Sequence, residues 1–178
     1  MINRSEAPFF RAGRMSRMVK TVEYFAYGSN LSLKQMKERG IKVIDSKIAE
    51  LPEWKLTFTI HSQNWGGGVG DIIPKRDHVL EGVIYTIPKE NLENLDHYEG
   101  REIDDDMELG MYRKQHIPVK TSNGWNTVLT YLVNRTEEYR SKTYIKPSED
   151  YMDTIISGAR EHGLSEKYIS YLEDIECV

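Results

Sequence analysis

Tyr24-Phe25-Ala26-Tyr27-Gly28-Ser29-Asn30-Leu31 is the stretch on which the reading of the chain turns. Residues 22–27 are apolar and aromatic, which favours a strand, and Gly28 interrupts it. Ser29, Asn30 and Ser32 are short polar side chains suited to turns and helix caps. Ser32 followed three residues later by Gln35 has the spacing of a capping box, and Gly40 stands where a helix would stop. The expected unit is strand, tight glycine turn, short helix. Such a turn directs several backbone N–H groups to one place, with the positive end of a helix dipole behind them. A carboxylate or a developing oxyanion would be received there. Local chemistry alone leaves the plainer reading open, since most turns of this kind are only turns.

Length and composition bound what this unit can serve. At 178 residues the chain has the size of one ordinary domain, long enough to bury a substantial core. A charged fraction of 29% and a net charge of −4 leave no basic footprint for nucleic acid. No apolar run approaches the roughly 18 residues that a spanning helix needs, so no membrane is expected as partner. Cys177 is the single cysteine, which excludes an intrachain disulfide and fits a reducing, cytoplasmic compartment. Residues 1–20 are set apart as a flexible leader: Arg4, Arg11, Arg14 and Arg17 are opposed only by Glu6, and Met15 and Met18 could each serve as an alternative start. The domain is expected over 21–178.

Residues 41–44 and 47–50 read as short extended pieces. Residues 54–60 alternate as a half-buried strand does, with Trp54, Leu56, Phe58 and Ile60 on one face. The glycine-rich passage 61–70 is neither a P-loop nor a dinucleotide fingerprint. It is a flexible loop or a backbone that passes close to a ligand. Residues 71–74 and 79–87 read as strands around a turn at 74–77. A helix follows over 89–99, stopped by Gly100. Residues 101–110 form an acidic loop whose aspartates lack EF-hand spacing, so it reads as a solvated charge run and not a metal site. Strands over 111–119 and 128–133 are joined by a turn at 121–124. Ser148 and Ser165 open two last helices, with Tyr151, Ile155 and Ala159 on one face of the first and Tyr168, Leu172 and Ile175 on one face of the second. Six or seven short strands among three or four helices indicate a single α+β domain with a mainly antiparallel sheet. Closure of that sheet does not follow from the pattern.

Chemistry is most visible around residue 99. Leu92, Leu95 and Glu99 are spaced i, i+3, i+7, so one helical face carries two leucines and then a glutamate. Glu90, Glu93 and Asp96 fall on what reads as the wet face. A carboxylate in an apolar stripe is costly to ionise, and desolvation raises its pKa, as general acid–base catalysis near neutral pH requires. The plainer reading is an edge glutamate that reaches solvent or Arg101.

Tyr24 to Leu31 resembles the signature that opens the γ-glutamylcyclotransferase family. Leu95-Asp96-His97-Tyr98-Glu99-Gly100, followed by Gly110-Met111-Tyr112, is similar to the family segment that holds its catalytic glutamate, in whose place Glu99 stands. Pro147-Ser148-Glu149-Asp150-Tyr151 is similar to the stretch that places a tyrosine on the substrate. The likeness runs from residue 24 to about 163. Residues 101–108 look longer than the family pattern, and residues 135–146 match nothing in it. These departures bear on the substrate more than on the reaction.

The resemblance implies a compact β-barrel flanked by helices, and cleavage of γ-glutamyl amides by internal cyclisation with release of 5-oxoproline. It assigns Glu99 as the catalytic acid–base. Tyr24, Phe25, Ala26, Tyr27, Gly28, Ser29, Asn30, Tyr112 and Tyr151 become substrate-binding candidates, although either of the last two could be an ordinary core aromatic. A tethered nucleophile needs no cofactor, metal or enzymic nucleophile, and the five histidines show no ligand spacing. Family members often dimerise, so a homodimer is expected on the same footing. The rival readings are cyclotransfer on γ-glutamyl-amines or another γ-glutamylated metabolite, and a non-catalytic anion-binding module. A hydrolase would need a Ser/His/Asp or Cys/His motif that is not found.

Overall fold

The computed structural model describes residues 19–99 and 111–178, so the expectations for residues 1–18 and 100–110, including Arg101, lie outside it. Strand β1 (Thr21–Ala26) leads through Gly28 into a 3-10 turn (Ser29–Leu31) and helix α1 (Leu33–Glu38). Strands β2 (Asp45–Ser62) and β3 (Gly67–Pro88) follow, then helix α2 (Leu92–Tyr98). Strands β4 (Tyr112–Thr121) and β5 (Gly124–Val133) precede helices α3 (Glu137–Lys142), α4 (Glu149–His162) and α5 (Glu166–Glu173).

Among the described residues, five strands therefore replace the expected six or seven, because segments that read as separate are continuous. β2 and β3 form one long antiparallel ribbon. Pro52 and the turn expected at 74–77 do not end the strands; they sit at an irregularity. Glu53 and Asp77 both take positive φ (63° and 62°), and the register shifts between Pro52 and Trp54. A bulge accommodates proline without breaking the ribbon. Residues 41–44 lie just ahead of β2 and are not a strand of their own. The expected 89–99 helix divides into a 3-10 turn (Lys89–Asn91) and α2.

The glycine passage is largely strand rather than loop. Only residues 63–66 turn, and Gly67 and Gly68 already belong to β3. A Cβ on Gly68 would stand 2.1 Å from the carbonyl oxygen of Ile145, and one on Gly67 would stand 2.6 Å from the nitrogen of Ser148. The segment ahead of α4 lies on this edge, with the Gly68 amide donating to Lys146 (2.8 Å) and the Ile145 amide to Phe58 (2.9 Å). At these two positions the close approach is to the chain's own backbone.

The sheet closes as a barrel in the order β1-β3-β2-β4-β5. Every pairing is antiparallel except β1 with β5, which meet in parallel at Tyr24 and Leu129. Leu56 and Phe58 point into the core as the alternation requires, while Trp54 and Ile60 are half-buried. Thr57 and Thr59, on the other face, are buried too. Thr59 is tied there to the segment 135–146, for which the sequence offered no reading, through Asp71 and Arg140. Thr136 caps α3 by accepting from the Tyr139 amide, and α3 brings Arg140 onto Asp71 of β3. Arg140 meets both carboxylate oxygens, at 2.7 and 2.8 Å. Thr59 and the Val133 amide complete the cage at 3.0 and 3.2 Å.

α4 and α5 keep their expected caps, since Ser148 accepts from the Tyr151 amide, Ser165 from that of Tyr168, and Gly163 closes α4 in the left-handed region. α4 buries Tyr151, Ile155 and Ala159 as its periodicity requires. Gly158 lets it lie directly on the 3-10 turn, where a Cβ would come within 2.5 Å of the Leu31 backbone. The first turn of α4, carrying Tyr151, is thereby fixed against Gly28.

Candidate active site

A cavity of about 410 Å³ opens where β1 passes into its turn. Among the predicted residues, Tyr24, Tyr27, Gly28, Ser29 and Asn30 line one wall. Glu99, Tyr112 and Tyr151 line the others. Phe25 and Ala26 do not reach it. They are fully buried beneath Gly82 of β3, where even a Cβ would strike the Phe25 ring, so their place in the signature is that of core packing.

Glu99 caps the C-terminus of α2, its amide donating to Leu95 (3.0 Å), and its side chain is only 13% exposed. The Asn30 amide nitrogen donates to Glu99 Oε1 at 2.6 Å and to the Tyr24 hydroxyl at 2.9 Å. Arg39 Nη1 donates to Asn30 Oδ1 at 2.8 Å and lies 3.3 Å from the same Glu99 oxygen. Burial pushes the Glu99 carboxyl above its usual range, and the charge of Asp96 adds to this. Arg39 and the Asn30 hydrogen bond oppose the rise. Tyr24 is also pushed up, first by burial and then by Glu99 itself.

Arg39 escapes sequence reading because a cation at the end of α1 is what any helix prefers. Its placement comes from Gln35. The capping box forms only in half: Ser32 Oγ accepts from the Gln35 amide (3.3 Å), but the Ser32 amide donates to Ser29. The Gln35 side chain is freed for the site. With its amide oxygen turned to accept, it receives Arg39 Nε (3.2 Å), Arg39 Nη2 (2.7 Å) and Ser29 Oγ (2.9 Å). The Tyr98 ring lies 5.2 Å from the guanidinium, in cation–π range. The expected helix-dipole contribution is corrected here. The Leu33 amide at the start of α1 is taken by Glu161 of α4 (3.2 Å), so that end of the helix already receives a carboxylate of the chain.

Beside Gly28 of the turn, two tyrosines hold one glycine, Gly70. The Tyr151 hydroxyl accepts from the Gly70 amide (2.9 Å), and the Tyr112 hydroxyl donates to the Gly70 carbonyl (2.7 Å). Gly28 is glycine for this approach and not for its φ of −107°, since a Cβ there would stand 3.3 Å from the Tyr151 hydroxyl. Burial raises the pKa of Tyr151, and the Gly70 amide pulls it back. The Trp65 ring meets Tyr151 edge-on at 5.0 Å. Asp96 is also corrected. It is not on a wet face, but receives the Tyr131 hydroxyl (2.6 Å) and Lys114 (2.7 Å). Among the described residues, no three His, Cys, Asp or Glu side chains gather as a metal site would require.

The comparisons with known proteins bear on this arrangement. Residues 79–172 match the model of the AIG2-like family. The mouse protein named gamma-glutamylcyclotransferase is 31% identical over 169 residues, covering 92% of this chain and 84% of the relative. Its human namesake is 33% identical over 158 residues, covering 86% and 78%. A solved structure of a gamma-glutamyl cyclotransferase superposes with a TM-score of 0.74 at 30% identity, over 89% of this chain and 90% of that one. Matched in sequence and in barrel topology along most of its length, the chain belongs to the γ-glutamylcyclotransferase family.

Proposed function

We propose that the protein closes the γ-glutamyl group of an amide or peptide on itself, releasing 5-oxoproline and a free amine or amino acid. The observation that carries this reading is a carboxylate withdrawn from water, Glu99, joined at 2.6 Å to Asn30 of the glycine turn inside one cavity. Ionised Glu99 takes a proton from the substrate's α-ammonium. The freed amine attacks the γ-carbonyl carbon, forming the ring C–N bond and an oxyanion. Backbone N–H groups at Gly28, Ser29 and Asn30 hold that oxyanion or the α-carboxylate. As the original C–N bond breaks, Glu99 gives its proton to the leaving nitrogen, then takes the second proton from the new ring nitrogen and passes it on, so that a neutral lactam and an ammonium product leave. The nucleophile is tethered, so confining the substrate to its folded conformer supplies much of the acceleration. Tyr24 and Arg39 keep Asn30 and Glu99 in register, while Tyr27, Tyr112 and Tyr151 shape the wall around the glutamyl chain.

The same reading carries a cytoplasmic location, supported by the lone Cys177, and a homodimer, which light scattering on the purified protein would test. No helix among the described residues is long and apolar enough to cross a membrane.

The decisive assay follows 5-oxoproline by mass spectrometry from γ-glutamyl-alanine and from γ-glutamyl-ε-lysine. The first should be the better substrate if amino acids are released, the second if amines are. Glu99→Gln should lower the rate about 10²- to 10⁴-fold, the usual contribution of a positioned acid–base group. Saturable binding without product would instead identify a non-catalytic module.

A further inference from the structure

We propose that Asp96, Tyr131 and Lys114 form a clamp that positions Glu99, so that the β4–β5 ribbon sets the carboxylate as firmly as its own helix does. The inference rests on the proposed role of Glu99 and adds three residues that act on it through α2 and Tyr24, of which Tyr131 also borders the cavity.

α2 has seven residues, too few to hold a helical shape without tertiary support. Glu99 lies just past its last turn, where fraying would displace it first. Leu95, fully buried, anchors one side. Asp96 anchors the next. Lys114 and Tyr131 face each other directly across the β4–β5 register. Lys114 Nζ reaches Asp96 Oδ2 at 2.7 Å, and the Tyr131 hydroxyl reaches Oδ1 at 2.6 Å. A carboxylate whose two oxygens are held from two strands is fixed in rotation as well as position. An exposed ion pair would contribute little, but the Asp96 side chain is only 15% exposed and its second oxygen is on a phenol.

The contacts also close into a ring. Tyr131 meets Tyr24 edge-on, with centroids 5.8 Å apart. The Tyr24 hydroxyl accepts from Asn30, and Asn30 holds Glu99. Three residues of α2 lead from Glu99 back to Asp96. Tyr27 ties the backbone of Tyr131 to β1 through a 2.5 Å hydrogen bond. Releasing Asp96 therefore loosens Glu99 through its helix and through Tyr24 together. The groups bearing on the Glu99 charge are Arg39 at the C-terminal cap of α1, Tyr24 from β1 and Tyr27 just after it, Tyr112 and Tyr131 from the β4–β5 ribbon, Tyr151 from α4 and Asp96. Asp96 stands among them as an anion with Lys114 behind it.

The test uses the full chain with Asp96→Asn, Tyr131→Phe, Lys114→Gln and Lys114→Arg, and Leu172→Ala in α5 as a destabilised control. kcat and KM are measured on γ-glutamyl-alanine, and the Glu99 carboxyl carbon is titrated by ¹³C NMR, a readout independent of turnover. Asp96→Asn and Tyr131→Phe should lower kcat roughly 10- to 100-fold, as small misplacements of a reacting group do, with KM little changed. The Glu99 titration should move to lower pH in Asp96→Asn, which removes an anion. It should move to higher pH in Lys114→Gln, which removes the offsetting cation, and return with Lys114→Arg. Leu172→Ala should lower Tm and leave kcat and the titration alone. If the clamp variants lose Tm but keep the wild-type kcat and titration, the contacts are only structural and the inference falls. Lys114→Gln alters an accessible side chain, and an unmoved titration in that variant overturns the inference even should the others not fold. Full activity in Glu99→Gln would remove the proposed role of Glu99 instead, while the NMR titration still decides the clamp.

Discussion

Asp71 and Glu99 are both carboxylates facing an arginine inside one small barrel, and their surroundings differ in a way that separates scaffold from site. Asp71 is wholly buried and Arg140 nearly so, at 0% and 4% exposure. Arg140 meets it through two nitrogens, while Thr59 and the Val133 amide take further lone pairs. Glu99 has one oxygen shared between Asn30 and a more distant Arg39 nitrogen, and its side chain borders a cavity. A saturated pair holds elements together and leaves no place for a substrate proton. An undersatisfied one, desolvated but approachable, is held above the ordinary carboxylate range and can exchange a proton.

The largest expected effect tests the first half of this contrast. Arg140→Met should cost about 3–5 kcal/mol, because it strands a buried charge, and urea unfolding would measure it. The double variant Asp71→Leu with Arg140→Leu should recover much of that loss, since two apolar groups leave nothing unpaired. A single variant as stable as wild type would show that α3 does not depend on the pair.

Arg39→Met should be milder, about 1–3 kcal/mol, because Glu99 can answer the loss by taking up a proton. Arg39 opposes the upward push on Glu99. Without it the acidic limb of the kcat/KM profile should move to higher pH. A limb that stays in place would mean that Arg39 does not act on the carboxylate.

The smallest effect is in stability against pH. Glu99 in the folded state lies above its unfolded value of about 4.3. The folded state then holds the proton more tightly. This group favours folding fully below about pH 4.3, and the contribution is lost as pH rises through its folded pKa. Glu99→Gln removes the titration. The stability of wild type minus variant should therefore fall from about pH 4.3 upward and level off above the folded pKa. A difference that rises over that window would contradict a raised Glu99.

Local chemistry was legible to different depths. The caps at Ser32, Ser148 and Ser165 are side chain–backbone contacts within three residues, and each hydroxyl accepts as the sequence implies, although the return contact from Gln35 to Ser32 is not made. Glu99 was legible because a charge interrupts an apolar stripe. Asp96 was misread by the same periodicity, which treats every position off the stripe as solvent and cannot know that β5 covers that side. Arg39 resembles any cation at a helix end, and Asp71 resembles the polar start of a strand. Phe25 and Ala26 belong to the signature string yet are wholly buried and do not line the cavity, because β3 passes close over them at Gly82, a contact between strands that the string itself does not encode.

By itself, the sequence determined the strand-turn-helix unit at residues 22–40, the capped helices of the C-terminal third and the carboxylate at position 99, all encoded by neighbours a few residues apart. The tertiary structure decided that the sheet closes, that two strands run unbroken past Pro52 and Pro74, and that Asn30 meets Glu99 across 69 positions of chain. Such meetings depend on strand register and barrel closure, which combine many weak pairings along the whole chain. No short window of residues contains them.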